Sequence, residues 1–155
     1  MRIAAHLAKY ARLDALRQRL HPIDDFELWY WMGLSAGTTL INAALHCAGV
    51  TEENDRFATQ VPDVYAVPDG AGGWRHEIAA RCDVIHVGLP EVTSPLPPLL
   101  AEAFREMERI ELYRDPCVRG THPVTVALVD EIDAAYMRCT SAASEIVRAK
   151  RESAA

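Results

Sequence analysis

Aromatic residues make up only 7% of this 155-residue chain. Cysteine is rarer still, with four, at positions 47, 82, 117 and 139. They are too few and too far apart for a disulfide scaffold, and none forms a CxxC pair that would nucleate a structural zinc site. Basic residues are outnumbered, 16 against 22 acidic, for a formal net charge of -6. That balance, with no basic patch, argues against nucleic-acid binding, which rests on neutralising phosphates. The first dozen residues show no secretory pattern, because Lys9 and Arg12 interrupt the apolar stretch such a signal needs. The expectation is therefore a cytoplasmic protein with reduced thiols. No internal repeat is present, and no low-complexity tract apart from the Ala/Ser-rich end.

What is present is apolar. Half of the residues are hydrophobic by type and a quarter are charged, which describes an ordinary globular chain rather than a disordered one. About 150 residues suffice to bury roughly 68–70% of the unfolded surface, so the chain reads as one helical domain spanning 1–155. The apolar content is uneven. From Leu28 to Thr51 there is no charged residue, long enough in principle to span a bilayer, and Gly33 and Gly37 carry the GxxxG spacing. Ser35, Thr38, Thr39, Asn42 and His46 interrupt the run, and its Trp and Tyr residues are clustered instead of marking two interfaces. A central helix buried by its neighbours accounts for it better than a membrane span.

Periodicity and punctuation place the remaining elements. Ile3, Leu7, Tyr10, Leu13, Leu16 and Leu20 form one stripe of a first helix ended by His21-Pro22. Asp24 followed by Glu27 reads as a capping box for a second helix running to Ala48, closed by Gly49. Pro98 to Tyr113, with Ser94 as its candidate cap, and Val124 to Arg148 supply a third and a fourth. Between them, the Pro/Gly-rich stretch of about 50–98 forms a long crossover. It contains the Asp69-Gly70 turn signal and a candidate strand at Val64–Val67, whose one evident partner run is Val84–Val87. The stretch 74–87 fits either a helix or a strand. The expected fold is an all-α bundle of four to five helices, with a short β-hairpin allowed in the crossover.

The densest polar cluster is Arg114 to Pro123, just before the last helix. A helix N-terminus favours anions, so Arg114, Arg119 and His122 are candidate anion-binding residues, and His122 with His86 are candidate catalytic ones. The plainer reading makes Thr121 or His122 the helix cap and Pro123 its first residue. Cys117 lies near Arg114, Arg119 and His122, surroundings that lower a thiol pKa, yet no base-and-orienter set accompanies it. Arg81 and His86 match the R-x4-H spacing of the helical HEPN ribonucleases, but among 14 arginines and 6 histidines about one or two such pairs arise by chance, so no family follows. Asp83-x-x-His86 resembles half of a di-metal carboxylate site whose second half is missing. His46 reads as a core or helix-end histidine. No metal and no cofactor is expected.

Trp29, Tyr30, Trp31 and Met32 are consecutive, and neighbours on a helix point about 100° apart, so they cannot share one face. A covering loop or a second subunit must meet at least one of them. The expectation is a homodimer through the Trp29–Gly37 helix, with no nucleic acid and no membrane as partner. In function, the chain reads as a dimeric accessory or small-ligand-binding module, with a small enzyme acting on an anionic substrate at the Arg114–His122 loop as the alternative.

Overall fold

Four α-helices and one small antiparallel sheet account for the architecture of the computed structural model, which describes residues 1–61, 63–78, 82–87 and 91–153. Helix α1 spans Ile3–Arg17, α2 Phe26–Cys47, α3 Pro98–Glu111 and α4 Val126–Glu152. Strands β1 Phe57–Ala58, β2 Val64–Pro68 and β3 Trp74–Ile78 form the sheet in the order β1-β2-β3.

The charge-free run becomes α2, which packs against α1, α3 and α4. Its residues are buried almost all round, from Phe26 and Trp29 to Leu45 and His46. No helix among the described residues is long and apolar enough to cross a membrane. The two glycines serve this packing. A Cβ on Gly33 would press the Arg17 side chain, and one on Gly37 would collide with the Met107 methyl of α3. Small residues here admit side chains of the same chain.

The helix ends correct three sequence expectations. No capping box forms at Asp24; α2 is preceded by Asp25, whose carboxylate accepts from the His21 backbone N–H at 2.9 Å. The α4 cap is Thr125, whose hydroxyl accepts from the Leu128 N–H at 3.2 Å, so neither Thr121 nor His122 caps it and Pro123 does not start it. Ser94 is likewise not the cap of α3, which Pro97 precedes. Gly49 behaves as expected, closing α2 at a φ of +71°.

The crossover holds a hairpin with a different partner from the one expected. Val64–Pro68 pairs antiparallel with Trp74–Ile78, with Val64 opposite Ile78 and Pro68 opposite Trp74. The Asp69 carboxylate ties the turn by accepting from the Ala71 and Gly73 N–H groups, at 2.8 and 2.9 Å. No helix runs over the described residues of this stretch, 74–78 and 82–87. Once the turn folds the chain back, Trp74–Ile78 lies beside β2, and the β-branched Val84 and Ile85 fall in a buried irregular stretch, 82–87. Tyr65 and Val67 point inward with Cys82 in a small cluster of their own, separate from the helical core.

Candidate functional site

The polar residues of α2 lie on one stripe. Ser35, Thr38, Thr39, Asn42 and His46 recur at spacings of three and four, which places them on a single helical face. Ser35, Thr38, Thr39 and Asn42 line a cavity of about 200 Å³, closed on its other sides by Met1, His6 and Lys9 from the α1 end, Phe57 and Ala58 from β1, and Asp83, Val84 and Ile85. His46, one turn beyond Asn42, lies behind its floor.

Asp83 sits on that floor, only 4% exposed. Its Oδ1 is 2.8 Å from His46 Nε2 and 3.1 Å from His6 Nε2, and its Oδ2 is 2.7 Å from the Met1 amino nitrogen. Two buried imidazoles from different helices thus meet at one carboxylate oxygen. The segment bearing Asp83 is held on both sides. The Asn42 amide accepts from Val84 N–H and donates to Val84 C=O, both at 2.8 Å, and the Tyr65 hydroxyl donates to Asp83 C=O at 3.1 Å. Thr51, just past the α2 terminus, lies 2.7 Å from His46 Nδ1 and fixes the ring from behind.

Electrostatics assign the protons. Burial by itself would raise the Asp83 carboxyl, but hydrogen bonds from His46 and His6 outweigh it and hold the group below the usual carboxylate range. Asp83 is therefore ionised and accepts an N–H from each ring. Burial dominates at His6, lowering it against the pull of Asp83, so its ring is neutral and carries its proton on Nε2. Its Nδ1 has no hydrogen-bond partner among the described residues, and neither does the buried hydroxyl of Thr38, which lines the same cavity. Unpaired buried polar atoms in a native structure call for an explanation.

The arrangement Thr51–His46–Asp83 has the members of a nucleophilic triad. Thr51 does not line the cavity, however, and a hydroxyl that no substrate reaches serves to orient the imidazole. In contrast, the two histidines and Asp83 present one ligand atom each, all within 4.8 Å of one another. Among the described residues no other group of three or more such side chains has this geometry.

The residues singled out in the sequence are dispersed. Arg114 and Arg119 lie in a single wide helical turn, Arg114–Arg119, and pair locally: Arg119 with Asp115 at 3.1 Å, and Arg114 with Asp115 at 3.5 Å and Glu111 at 3.6 Å. His122 is exposed, its backbone N–H donating to Pro116 C=O. His86 lies 3.6 Å from Glu111, so Asp83 and His86 take different partners. Burial raises the Cys117 thiol, opposite to the direction that a nucleophile needs. Arg81, the first residue of the R-x4-H spacing, lies outside the described residues. Two acidic pairs have helical spacing, Glu108/Glu111 and Asp130/Asp133; of these, Glu111 engages Arg114, and Asp133 engages Arg17 at 2.7 Å.

His6, His46 and Asp83 together were not foreseen. The polar stripe on an apolar helix pointed to His46, whereas Asp83 is brought in by an irregular segment with no periodic signal. Comparison of the chain with protein-family models, with curated proteins and with solved structures finds no match in any of the three.

Proposed function

We propose that this chain is a small-ligand-binding helical-bundle module whose site is the cavity above His6, His46 and Asp83. One observation carries the reading: a carboxylate is buried between two imidazoles at the floor of an open polar cavity. Burying a charge and two imidazoles is costly, and apolar residues of similar volume are often neutral or better for stability. A cluster retained at the base of a cavity, with two unpaired polar atoms beside it, is better explained by a ligand than by folding. The ligand is small and polar, with hydrogen-bonding groups for the unpaired His6 Nδ1 and Thr38 hydroxyl and room beside Ser35 and Thr39.

Residue-resolved NMR on the full chain tests this. Small polar molecules, titrated in the presence of a chelator, are expected to shift the amides of Ser35, Thr38, Asn42 and Asp83 while leaving α3 unmoved. Shifts confined to 114–122 on adding inorganic phosphate would favour the enzyme reading at that loop instead. Dimerisation belongs to the same proposal. Leu28, Trp31 and Met32 lie at i, i+3 and i+4 on the least buried face of α2, with Leu28 58% exposed. Sedimentation is expected to show a dimer that Leu28→Glu converts to monomer; a wild-type monomer removes the second copy from the account.

A further inference from the structure

We propose that His6, His46 and Asp83 bind one divalent transition-metal ion of the zinc class, reached through the cavity; this rests on the ligand-pocket reading and names its ligand. The donor set is two imidazole nitrogens and one carboxylate oxygen. Imidazoles suit zinc and its transition-metal neighbours, while magnesium and calcium prefer all-oxygen sites. The three donors come from α1, α2 and the 82–87 segment, so the fold, and not a local motif, assembles them.

The spacing is close to what the ion needs. Bonds of about 2.0–2.2 Å in a tetrahedral site put neighbouring ligand atoms about 3.4 Å apart. Here each Nε2 lies 2.8 and 3.1 Å from Asp83 Oδ1, with all three atoms within 4.8 Å. Side-chain shifts below 1 Å or so would open the two nitrogen–oxygen edges to admit the ion. Three protein donors leave a fourth position, and His6 and Asp83 are the two members that line the cavity. The vacant position therefore faces the cavity, where water or a small ligand completes the shell.

The surrounding groups already hold two of the three donors, His46 and Asp83, as a metal site requires. Outer partners usually fix the second nitrogen of a ligating histidine, and Thr51 does this for His46 at 2.7 Å. Asn42 and Tyr65 fix the backbone on which Asp83 is mounted. Without metal, each ring carries its proton on Nε2 and donates to Asp83. On binding, that nitrogen's lone pair goes to the ion and the proton moves to Nδ1, where on His46 it can be donated to Thr51 Oγ1. No electron is transferred, and the two hydrogen bonds to Asp83 are exchanged for three metal bonds.

The experiment uses the full chain stripped with chelator and titrated calorimetrically with Zn²⁺ alone, with ring protons followed by histidine ¹⁵N NMR. One ion per chain is expected, with His6 and His46 switching from Nε2–H to Nδ1–H. Asp83→Asn and His46→Gln should each weaken binding by at least about 100-fold, and Thr51→Val by about 10-fold, the range of outer-partner effects. Failure of the wild type to take up Zn²⁺, or uptake with the ring protons unmoved, overturns the proposal and leaves a hydrogen-bonded cluster only. The tautomer readout needs no variant, so a misfolded Asp83→Asn does not blunt the test. Small molecules that still shift Ser35–Asp83 with chelator present would sink the metal and spare the ligand pocket; no shift by either would sink both.

Discussion

The Arg17 guanidinium lies 4.1 Å from the ring centroids of both Trp29 and Tyr136, sandwiched between α2 and α4. It also reaches Asp133 at 2.7 Å, but Asp133 is half exposed while the arginine side chain is only 6% exposed. Which interaction matters more follows from that difference. A desolvated cation–π contact is worth about 2 kcal/mol, and an ion pair with one partner in water is worth under about 1 kcal/mol. Arg17→Met should therefore lower unfolding free energy in urea by about 2 kcal/mol, and Asp133→Asn by under about 1 kcal/mol. The reverse order would show that the ion pair, and not the rings, holds the residue. This contact also resolves the aromatic run. Trp29 is covered by Arg17, Tyr30 is buried with its hydroxyl donating to Ile110 C=O at 2.6 Å, and Trp31 and Met32 are left partly exposed.

At the scale of elements, Asn42 joins α2 to the segment that carries Asp83. Both of its hydrogen-bonding ends are used on Val84. Asn42→Leu would leave a buried N–H and a buried C=O without partners, at roughly 1–3 kcal/mol each. A loss of roughly 2–6 kcal/mol is expected, with faster amide exchange at 82–87 than at α3; uniform change across both would contradict a local clamp. Helices α3 and α4 are joined differently, by Arg138 donating to Glu106 at 2.8 and 3.0 Å. The hydrogen bond to Arg138 holds the Glu106 carboxyl below its ordinary value. A carboxyl depressed in the folded state contributes stability above its unfolded pKa, about 4.3, that is lost as pH falls through the folded value. Wild type should therefore lose more stability between pH 5 and pH 3 than Arg138→Gln, by a small margin because the pair is partly solvated. Identical acid limbs would show that the pair contributes nothing.

For the whole molecule, the helices could be read from the sequence because their signals are local and repeated. The stripe of α1, the uncharged run of α2 and the prolines before α3 each act within a few turns. The hairpin was legible in its turn, Asp69–Gly73, but its second strand was not. Trp74–Ile78 lacks an apolar alternation, since its side chains are mostly exposed, and Val84–Val87 offered the more strand-like composition. The candidate site was hardest to see because its parts are 77 and 37 residues apart from Asp83. His46 belonged to a visible stripe, but His6 shared α1 with an apolar face and Asp83 lay in a stretch without period. Conversely, the Arg114–His122 loop stood out because its charges are adjacent in sequence, and in the fold its arginines are engaged by Asp115 and Glu111.

Three distant residues forming one ligand site can be seen in a crystal of the full chain grown with Co²⁺. Anomalous scattering at the cobalt edge should give one peak about 2.0–2.2 Å from His6 Nε2, His46 Nε2 and Asp83 Oδ1. Cobalt found only on surface groups such as His21 or His122, with the buried cluster still closed by its own hydrogen bonds, would contradict it.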